Sequence, residues 1–120
     1  MEPVRYSPLD PPRHRVDAVR AGDLIYIAGM TAYDRSADVQ QQTRETLQKL
    51  DIVLEQVGSS RHHLVMANVY LNDTNDYDLF NEIWNDWIPE GEGPARVCTG
   101  TNLAVPGLRV EVSLVAAPVD

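Results

Sequence analysis

Five polar or reactive residues are close in sequence near the end of the chain, within two short apolar runs at residues 95–101 and 108–117. They are Arg96, Cys98, Arg109, Glu111 and Ser113. A guanidinium can hold a carboxylate through two parallel hydrogen bonds, and a glutamate is a weak base, so both suit chemistry on a small acidic molecule. Burying either charge in an apolar strand without a partner is costly. These charges therefore face water, pair with each other or meet a ligand.

Both runs alternate their side chains as β-strands do, and a turn-rich segment at residues 102–107 separates them. Side chains two positions apart point to the same side of a sheet, so Arg96 and Cys98 share one side of the first strand. By the same rule Arg109, Glu111 and Ser113 share a side of the second strand, and Val110, Val112 and Leu114 lie on the other.

The start of the chain predicts an arm and a hairpin. Residues 1–15 contain four prolines, which fix φ and remove backbone donors, so this segment is expected to be an extended arm. A weak strand at residues 16–21, a two-residue turn at Gly22 and Asp23, and a strong strand at Leu24–Met30 follow.

Two helices are predicted between the strands. Asp38 is expected to cap the first helix, and Gly58 stands just past its end. The buried stripe of this helix is Thr43, Leu47, Leu50, Leu54 and Val57. The second helix covers residues 77–88, with Thr74 or Asn75 as its cap. Its apolar face is Leu79, Phe80, Ile83, Trp84 and Trp87.

This order of elements predicts an α+β fold with both helices on one face of a mixed sheet. Several strands are nevertheless apolar on both sides. In Leu24–Met30 the alternation groups Met30 with Tyr26 opposite the isoleucines, and in Leu64–Leu71 it groups Val65 with Ala67. Because two helices cover only one side, another copy of the chain is expected to cover the other, so the sequence predicts a homo-oligomer.

Length and charge set further limits. A chain of 120 residues predicts a single domain over residues 1–120. Lys+Arg 10 against Asp+Glu 18 gives a net charge of -8, which would repel a phosphate backbone, so no nucleic-acid partner is expected. One cysteine, no signal-like segment and no long apolar run predict a cytoplasmic protein without a membrane contact. The three histidines, His14, His62 and His63, are too scattered to predict a metal site.

Several segments stand in the order and at the spacing of a known family. They are GDLIYIAG at residues 22–29, the long helix after Asp38, NVYLND at residues 68–73, Asn81, and PARVC at residues 94–98. From about residue 14 to its end, the chain resembles the RidA family, also called YjgF/YER057c/UK114. The Pro-Ala-Arg-x-Cys element with a later strand glutamate is the most specific part of this resemblance.

The resemblance implies a chorismate-mutase-like fold, a homotrimer whose sheets form a central barrel, and sites in clefts between subunits. It implies hydrolysis of reactive 2-enamine and 2-imine intermediates, such as 2-aminoacrylate, to 2-keto acids and ammonia without metal or cofactor. Arg96 matches the arginine that grips the substrate carboxylate, and Glu111 the glutamate that positions the attacking water. Cys98 and Asn81 match residues that line the pocket.

Two pocket positions depart from the family pattern. Deaminase members usually carry a tyrosine where this chain has His14 and Arg15, and a serine where it has Ala28. Arg15, Ala28 and Gly29 are still expected to line the substrate pocket. A second arginine there would suit a second anionic group, so the substrate is expected to be larger or dicarboxylic.

Each of these residues could also have a purely structural role. Arg96 and Glu111 could form a salt bridge with each other, or Glu111 could be a charge at a subunit interface. Cys98 could be a buried filler, since no neighbouring base activates it, and Arg15 could be solvated. For the whole protein, the alternatives are a non-catalytic keto-acid binder with the same cleft, which the two departures favour, and a ribonuclease, which the charge disfavours.

Overall fold

The protein, described by a computed structural model, is defined over residues 2–119. Met1, the first residue of the predicted arm, and Asp120 lie outside the described residues. The described part contains the predicted elements and one additional strand near the start. In chain order they are β1 (Val4–Tyr6), β2 (Ala18–Ala21), β3 (Leu24–Met30), α1 (Val39–Gln56), β4 (Leu64–Leu71), α2 (Tyr77–Trp87), β5 (Ala95–Gly100) and β6 (Val110–Ala116).

All the strands belong to one sheet with the order β1-β2-β3-β6-β4-β5. Strands β4 and β5 run parallel and are joined through α2, whereas the other neighbours are antiparallel. Both helices pack on one side of the sheet around a core that includes Leu50, Phe80 and Leu114. Full burial of each such side chain contributes about 2 kcal/mol. The predicted α+β fold, a mixed sheet with two helices on one face, is confirmed.

Helix α1 follows its predicted design. The Asp38 carboxylate accepts a hydrogen bond of 2.8 Å from the amide of Gln41, which caps the first turn. The helix ends at Gln56, and Gly58 takes a φ of 80° just beyond it. Every member of the predicted stripe is buried. Gln42 is fully buried as well, which the apolar pattern did not predict.

Helix α2 begins differently from the prediction. Thr74–Asp76 forms a short 3₁₀ turn, and Asp73 caps it by accepting from the amide of Asn75 at 2.9 Å. Leu79, predicted on the apolar face, is 45% exposed, and the buried face consists of Phe80, Trp84 and Trp87 with Ile83 at its margin. The polar residues before a helix offer several possible caps, so sequence alone did not select the correct one.

Two strands contain irregularities that move side chains between faces. The β3–β6 register shifts between Ile27 and Met30, so Met30 joins the isoleucines in the core instead of lying with Tyr26. The β4–β6 register shifts near the start of β4, and Val65 is 44% exposed whereas Ala67 is buried. A strict period of two therefore assigned Met30 and Val65 to the wrong faces.

The helix-free side of the sheet, called here the open face, is uncovered within one chain. Tyr26 on β3 is 49% exposed there, and Val97 on β5 is 44% exposed. The sequence predicted that β3 is buried on both faces. Within one chain, its open face remains exposed. Part of the predicted arm joins the sheet edge as β1, paired with β2. Neither helix within residues 2–119 has the length and apolar character needed to cross a membrane.

Candidate functional site

Arg96 lies on β5 and reaches toward α2. Its Nη1 donates to Asn81 Oδ1 at 2.8 Å, and its Nη2 lies 3.5 Å from the Tyr77 hydroxyl. The guanidinium carbon is 5.5 Å from the ring centroid of Trp84 and 5.8 Å from that of Phe80, distances at which an aromatic face stabilises a cation. Parallel pairing with β4 sets this direction, because Arg96 is aligned with the buried Ala67.

The Arg96 guanidinium is held by neutral groups. Within residues 2–119 no carboxylate lies within ion-pair distance of it, and the side chain is half-buried. A guanidinium has five N–H donors, so most remain available to a ligand. Asn81 is therefore an orienting partner for Arg96, and Tyr77 is a second one that the sequence analysis did not identify. Its position one helical turn before Asn81 was the only available signal.

Cys98 follows Arg96 on the same side of β5 and packs against the edge of the core. Burial raises the pKa of its thiol, and the charge of Arg96 opposes that rise. The thiol form is therefore favoured at neutral pH, which agrees with a pocket-lining or packing role and not with a nucleophile.

Glu111 lies on the open face, beside Gly29. A β-carbon at Gly29 would collide with Glu111 Oε2, so the absence of a side chain lets the carboxylate lie against the β3 backbone. Both residues line an open cleft of about 360 Å³, with Tyr70, Ser113 and the 101–104 segment. Glu111 has no ion-pair partner among the described side chains.

Arg96 and Glu111 do not meet within one chain. Arg96 is aligned with Ala67 on β4 and Glu111 with Tyr70. Positions 67 and 70 are three apart on one strand, so they point to opposite faces. The alternative of a salt bridge between Arg96 and Glu111 of the same chain is therefore excluded.

Arg109 was predicted to share a surface with Glu111, but its side chain is directed toward Asp76 instead. Its Nη2 donates to Asp76 Oδ1 at 2.7 Å and its Nε to Asp76 Oδ2 at 3.1 Å. Asp76 is only 4% exposed, so this bidentate pair is structural. It ties the start of β6 to the 3₁₀ turn before α2.

Arg15 and Gly29 line a second, smaller cavity of about 100 Å³. Arg15 Nη1 lies 3.4 Å from Oδ1 of the buried Asp17. The amides of Leu9 and Asp10 donate to the other oxygen of this carboxylate, which offsets the cost of its burial. This network orients Arg15 toward Gly29. Ala28 behaves differently, since its side chain packs against the core and lines neither cavity.

The predicted site residues thus form two groups. Arg96, Asn81 and Cys98 lie on the helix side of β5, while Glu111, Gly29 and Arg15 lie around the clefts next to β3. Within the described chain no three histidine, cysteine or carboxylate side chains come together as metal ligands.

The sequence and the fold have clear relatives. A family model described as Endoribonuclease L-PSP matches residues 8–118. The RutC family protein YoaB of Escherichia coli (strain K12) is 34% identical over 101 residues, covering 84% of this chain and 88% of that protein. A 3-aminoacrylate deaminase RutC from Acinetobacter baylyi is 30% identical over 107 residues, covering 84% of each. The crystal structure of a YjgF family member from Neisseria meningitidis has a TM-score of 0.91 and 34% identity, covering 100% of this chain and 98% of that one.

The matched segment includes every residue assigned to the two groups above, and the structural match extends over the whole sheet and both helices. Because the family model spans nearly the full chain, this protein belongs to the Endoribonuclease L-PSP family, which is the YjgF (RidA) family that residues 94–98 resemble.

Proposed function

We propose that this protein hydrolyses 2-imines, and the 2-enamines from which they form, to 2-keto acids and ammonia. The observation that carries the proposal is the half-buried Arg96 guanidinium, which faces neutral groups and retains free donors. Such a cation is a suitable clamp for the carboxylate of an amino-acid-derived substrate. The relative named 3-aminoacrylate deaminase supports an enamine as substrate.

The chemistry requires a held substrate, an oriented water and proton transfer. Protonation of an enamine at its β-carbon gives the imine, whose carboxylate Arg96 holds. Glu111 takes a proton from water as the oxygen adds to C2, which gives a carbinolamine. That proton passes to the nitrogen, and the C2 hydroxyl proton follows it through Glu111. The C–N bond then breaks, ammonia leaves with both protons, and the C2 oxygen becomes the keto oxygen. Water is the only other reactant.

The opposite placement of Arg96 and Glu111 implies that they act on one substrate only when they come from different copies of the chain. We therefore propose a homotrimer in which the open faces line a central barrel and the sites lie between subunits. The apolar side chains of the open face, Tyr26 and Val97 among them, support this arrangement.

The second candidate is a keto-acid binding protein without turnover. It is favoured by the absence of the family tyrosine and serine at Arg15 and Ala28, and by the packing of the half-buried Ala28 side chain against the core. Such a protein would bind 2-keto acids through Arg96 and leave imine hydrolysis at its spontaneous rate.

The test is the release of keto acid from an imine generated by an amino-acid oxidase. Arg96→Ala should lower kcat/KM about 100-fold, because hydrogen bonds to a charged group are worth about 3 kcal/mol here. Arg44→Ala, which removes an equal charge from an exposed site on α1, should leave the rate unchanged. Wild-type protein that binds keto acids but releases none faster than the uncatalysed reaction would establish the second candidate.

The proposed setting is the cytoplasm, which suits the free Cys98 thiol. The proposed ligand is a small imine, enamine or keto acid, with no nucleic-acid or membrane partner. The net charge of -8 supports the exclusion of RNA, even though the family is described as an endoribonuclease. Binding of single-stranded RNA at low salt would contradict it.

A further inference from the structure

The small cavity beside Gly29 contains two cations that the proposed reaction does not use. Arg15 and Lys49 line it together with Leu9, Asp10, Gly29, Met30, Thr31 and Tyr33. Its volume is about 100 Å³. A water molecule occupies about 30 Å³ in the liquid, so the space would hold about three waters or one carboxylate with its attached carbon.

Lys49 is the only lysine in the chain and has an unusual environment. It lies on α1 and is half-buried, with its Nζ 4.1 Å from the centre of the Tyr33 ring. Within residues 2–119 no carboxylate lies within ion-pair distance of the ammonium group. Burial lowers the pKa of this group. A partly desolvated cation without an anionic partner is costly, and an incoming anion would offset that cost.

The nearby acids are already engaged. Glu45, one turn before Lys49, accepts from the amides of Tyr33 and Asp34 at 2.9 and 3.0 Å. The hydrogen bond from Asp34, and then that from the Gln41 side chain, lower the pKa of Glu45. These contacts fix the 33–34 loop beside Lys49. The charges of Asp10 and Glu45 oppose the lowering of the Lys49 pKa, but from beyond ion-pair distance.

On the Arg15 side, Asp17 is occupied by two backbone amides and by Arg15 itself. Asp10, whose side chain is 70% exposed, approaches Arg15 only to 3.7 Å. Among the residues that line the cavity, Asp10 is the one carboxylate, and Asp17 keeps its charge beside Arg15. Lys49 is therefore the cation that an incoming anion would pair with, next to the remaining donors of Arg15.

Gly29 forms part of the wall of this cavity and of the Glu111 cleft. A molecule whose reacting carbon lies near Glu111 could therefore place a second group between Arg15 and Lys49. We propose that Arg15 and Lys49 form a subsite for a second carboxylate, which makes the imine of a dicarboxylic amino acid the preferred substrate. The subsite itself requires only ligand binding, whereas its role in turnover rests on the proposed function.

Binding of 2-oxoglutarate and of its 5-methyl ester, measured by calorimetry on the intact 120-residue protein, tests the subsite. The ester removes the charge of the distal group and keeps the open keto-acid chain, so wild-type protein should prefer the diacid. Lys49→Met should weaken binding of the diacid about 10-fold and leave the ester within about 2-fold, while Lys49→Arg should preserve the preference. Arg44→Met, an equal loss of charge elsewhere on α1, should alter neither.

A second measurement needs no variant and uses the wild-type protein. Since Lys49 carries the only lysine ε-amine, its reductive methylation can be followed in one peptide by mass spectrometry. The diacid should slow that modification and the 5-methyl ester should not. Equal protection by both ligands, or none by either, would overturn the subsite.

The two proposals fail in different ways. If the diacid preference depends on Lys49 but no imine is hydrolysed, the subsite stands and the hydrolytic function is wrong. If imines are hydrolysed but Lys49→Met changes binding of the diacid and of the ester alike, the function stands and the subsite is wrong.

Discussion

Cys98 offers a local probe of the environment around Arg96. Burial raises the pKa of its thiol and the positive charge of Arg96 opposes this, so the two residues are electrostatically linked. Alkylation by iodoacetamide requires the thiolate, so its rate should rise with pH to a midpoint above the ordinary value of 9.0. Arg96→Ala should move the midpoint higher still, because it removes the charge that favours the thiolate.

The control for this prediction is Arg44→Ala, which changes net charge equally but is remote from β5. Its midpoint should match that of the wild type. A wild-type midpoint below the usual cysteine range, or one that falls in Arg96→Ala, would show that Cys98 is an activated thiol and that the packing role is wrong.

At the residue scale, the chemical type of a side chain predicted which residues belong to the candidate site. It did not predict which groups those residues contact. Arg96 and Glu111 could be singled out because charges within apolar strands are expensive. Their separation by the sheet depends on which β4 residue each is aligned with, and alternation within a single strand contains no such information. The sequence did not single out Lys49 as a site residue, because a lysine on a helix surface is ordinary until the Tyr33 ring packs over it.

At the element scale, Gln42 joins α1 to the segment before β6. Its side chain is fully buried, with Nε2 donating to the carbonyls of Ala37 and Gly107 at 3.0 Å and Oε1 accepting from the amide of Arg109 at 2.8 Å. Gln42→Leu conserves volume but leaves these backbone groups unsatisfied. We expect it to lower the free energy of unfolding by about 3 kcal/mol.

Urea unfolding at fixed protein concentration measures that loss. Gln41→Leu is the matched control, since Gln41 is exposed and its side chain donates only to Glu45. The control should change stability by no more than about 0.5 kcal/mol. Similar values for the two variants would mean that the buried hydrogen bonds of Gln42 contribute little.

Elements were predicted most accurately where local chemistry determines them. The β2–β3 turn at Gly22 and the α1 cap at Asp38 both form as expected, because a positive φ and an orphan helix amide each demand a particular residue type. The register shift near Gly29 was not predictable, since a bulge reflects the fit between β3 and β6. That shift is what places Met30 in the core.

At the scale of the whole molecule, the two groups of site residues give the proposed assembly a direct test. Arg96→Ala and Glu111→Gln should each be strongly impaired alone, the first by about 100-fold in kcat/KM. When the two variants are co-expressed, some interfaces combine an intact Arg96 from one copy with an intact Glu111 from another. Random mixing of equal amounts restores about a quarter of the sites. The measurement is keto-acid release by the purified mixture compared with each variant alone.

The control for this recovery of activity is a variant that cannot assemble. Tyr26→Glu adds a charge to the open face, where the side chain is 49% exposed in the single chain, and should prevent association when present in both partners. Ile52→Glu, at 44% exposure on the outer surface of α1, should permit both assembly and recovery. A site contained within one chain would show no recovery in any mixture, because each copy would lack one of its own two groups. Recovery that requires an intact open face would instead mean that the sheet separates Arg96 from Glu111 within each copy and that association brings them together.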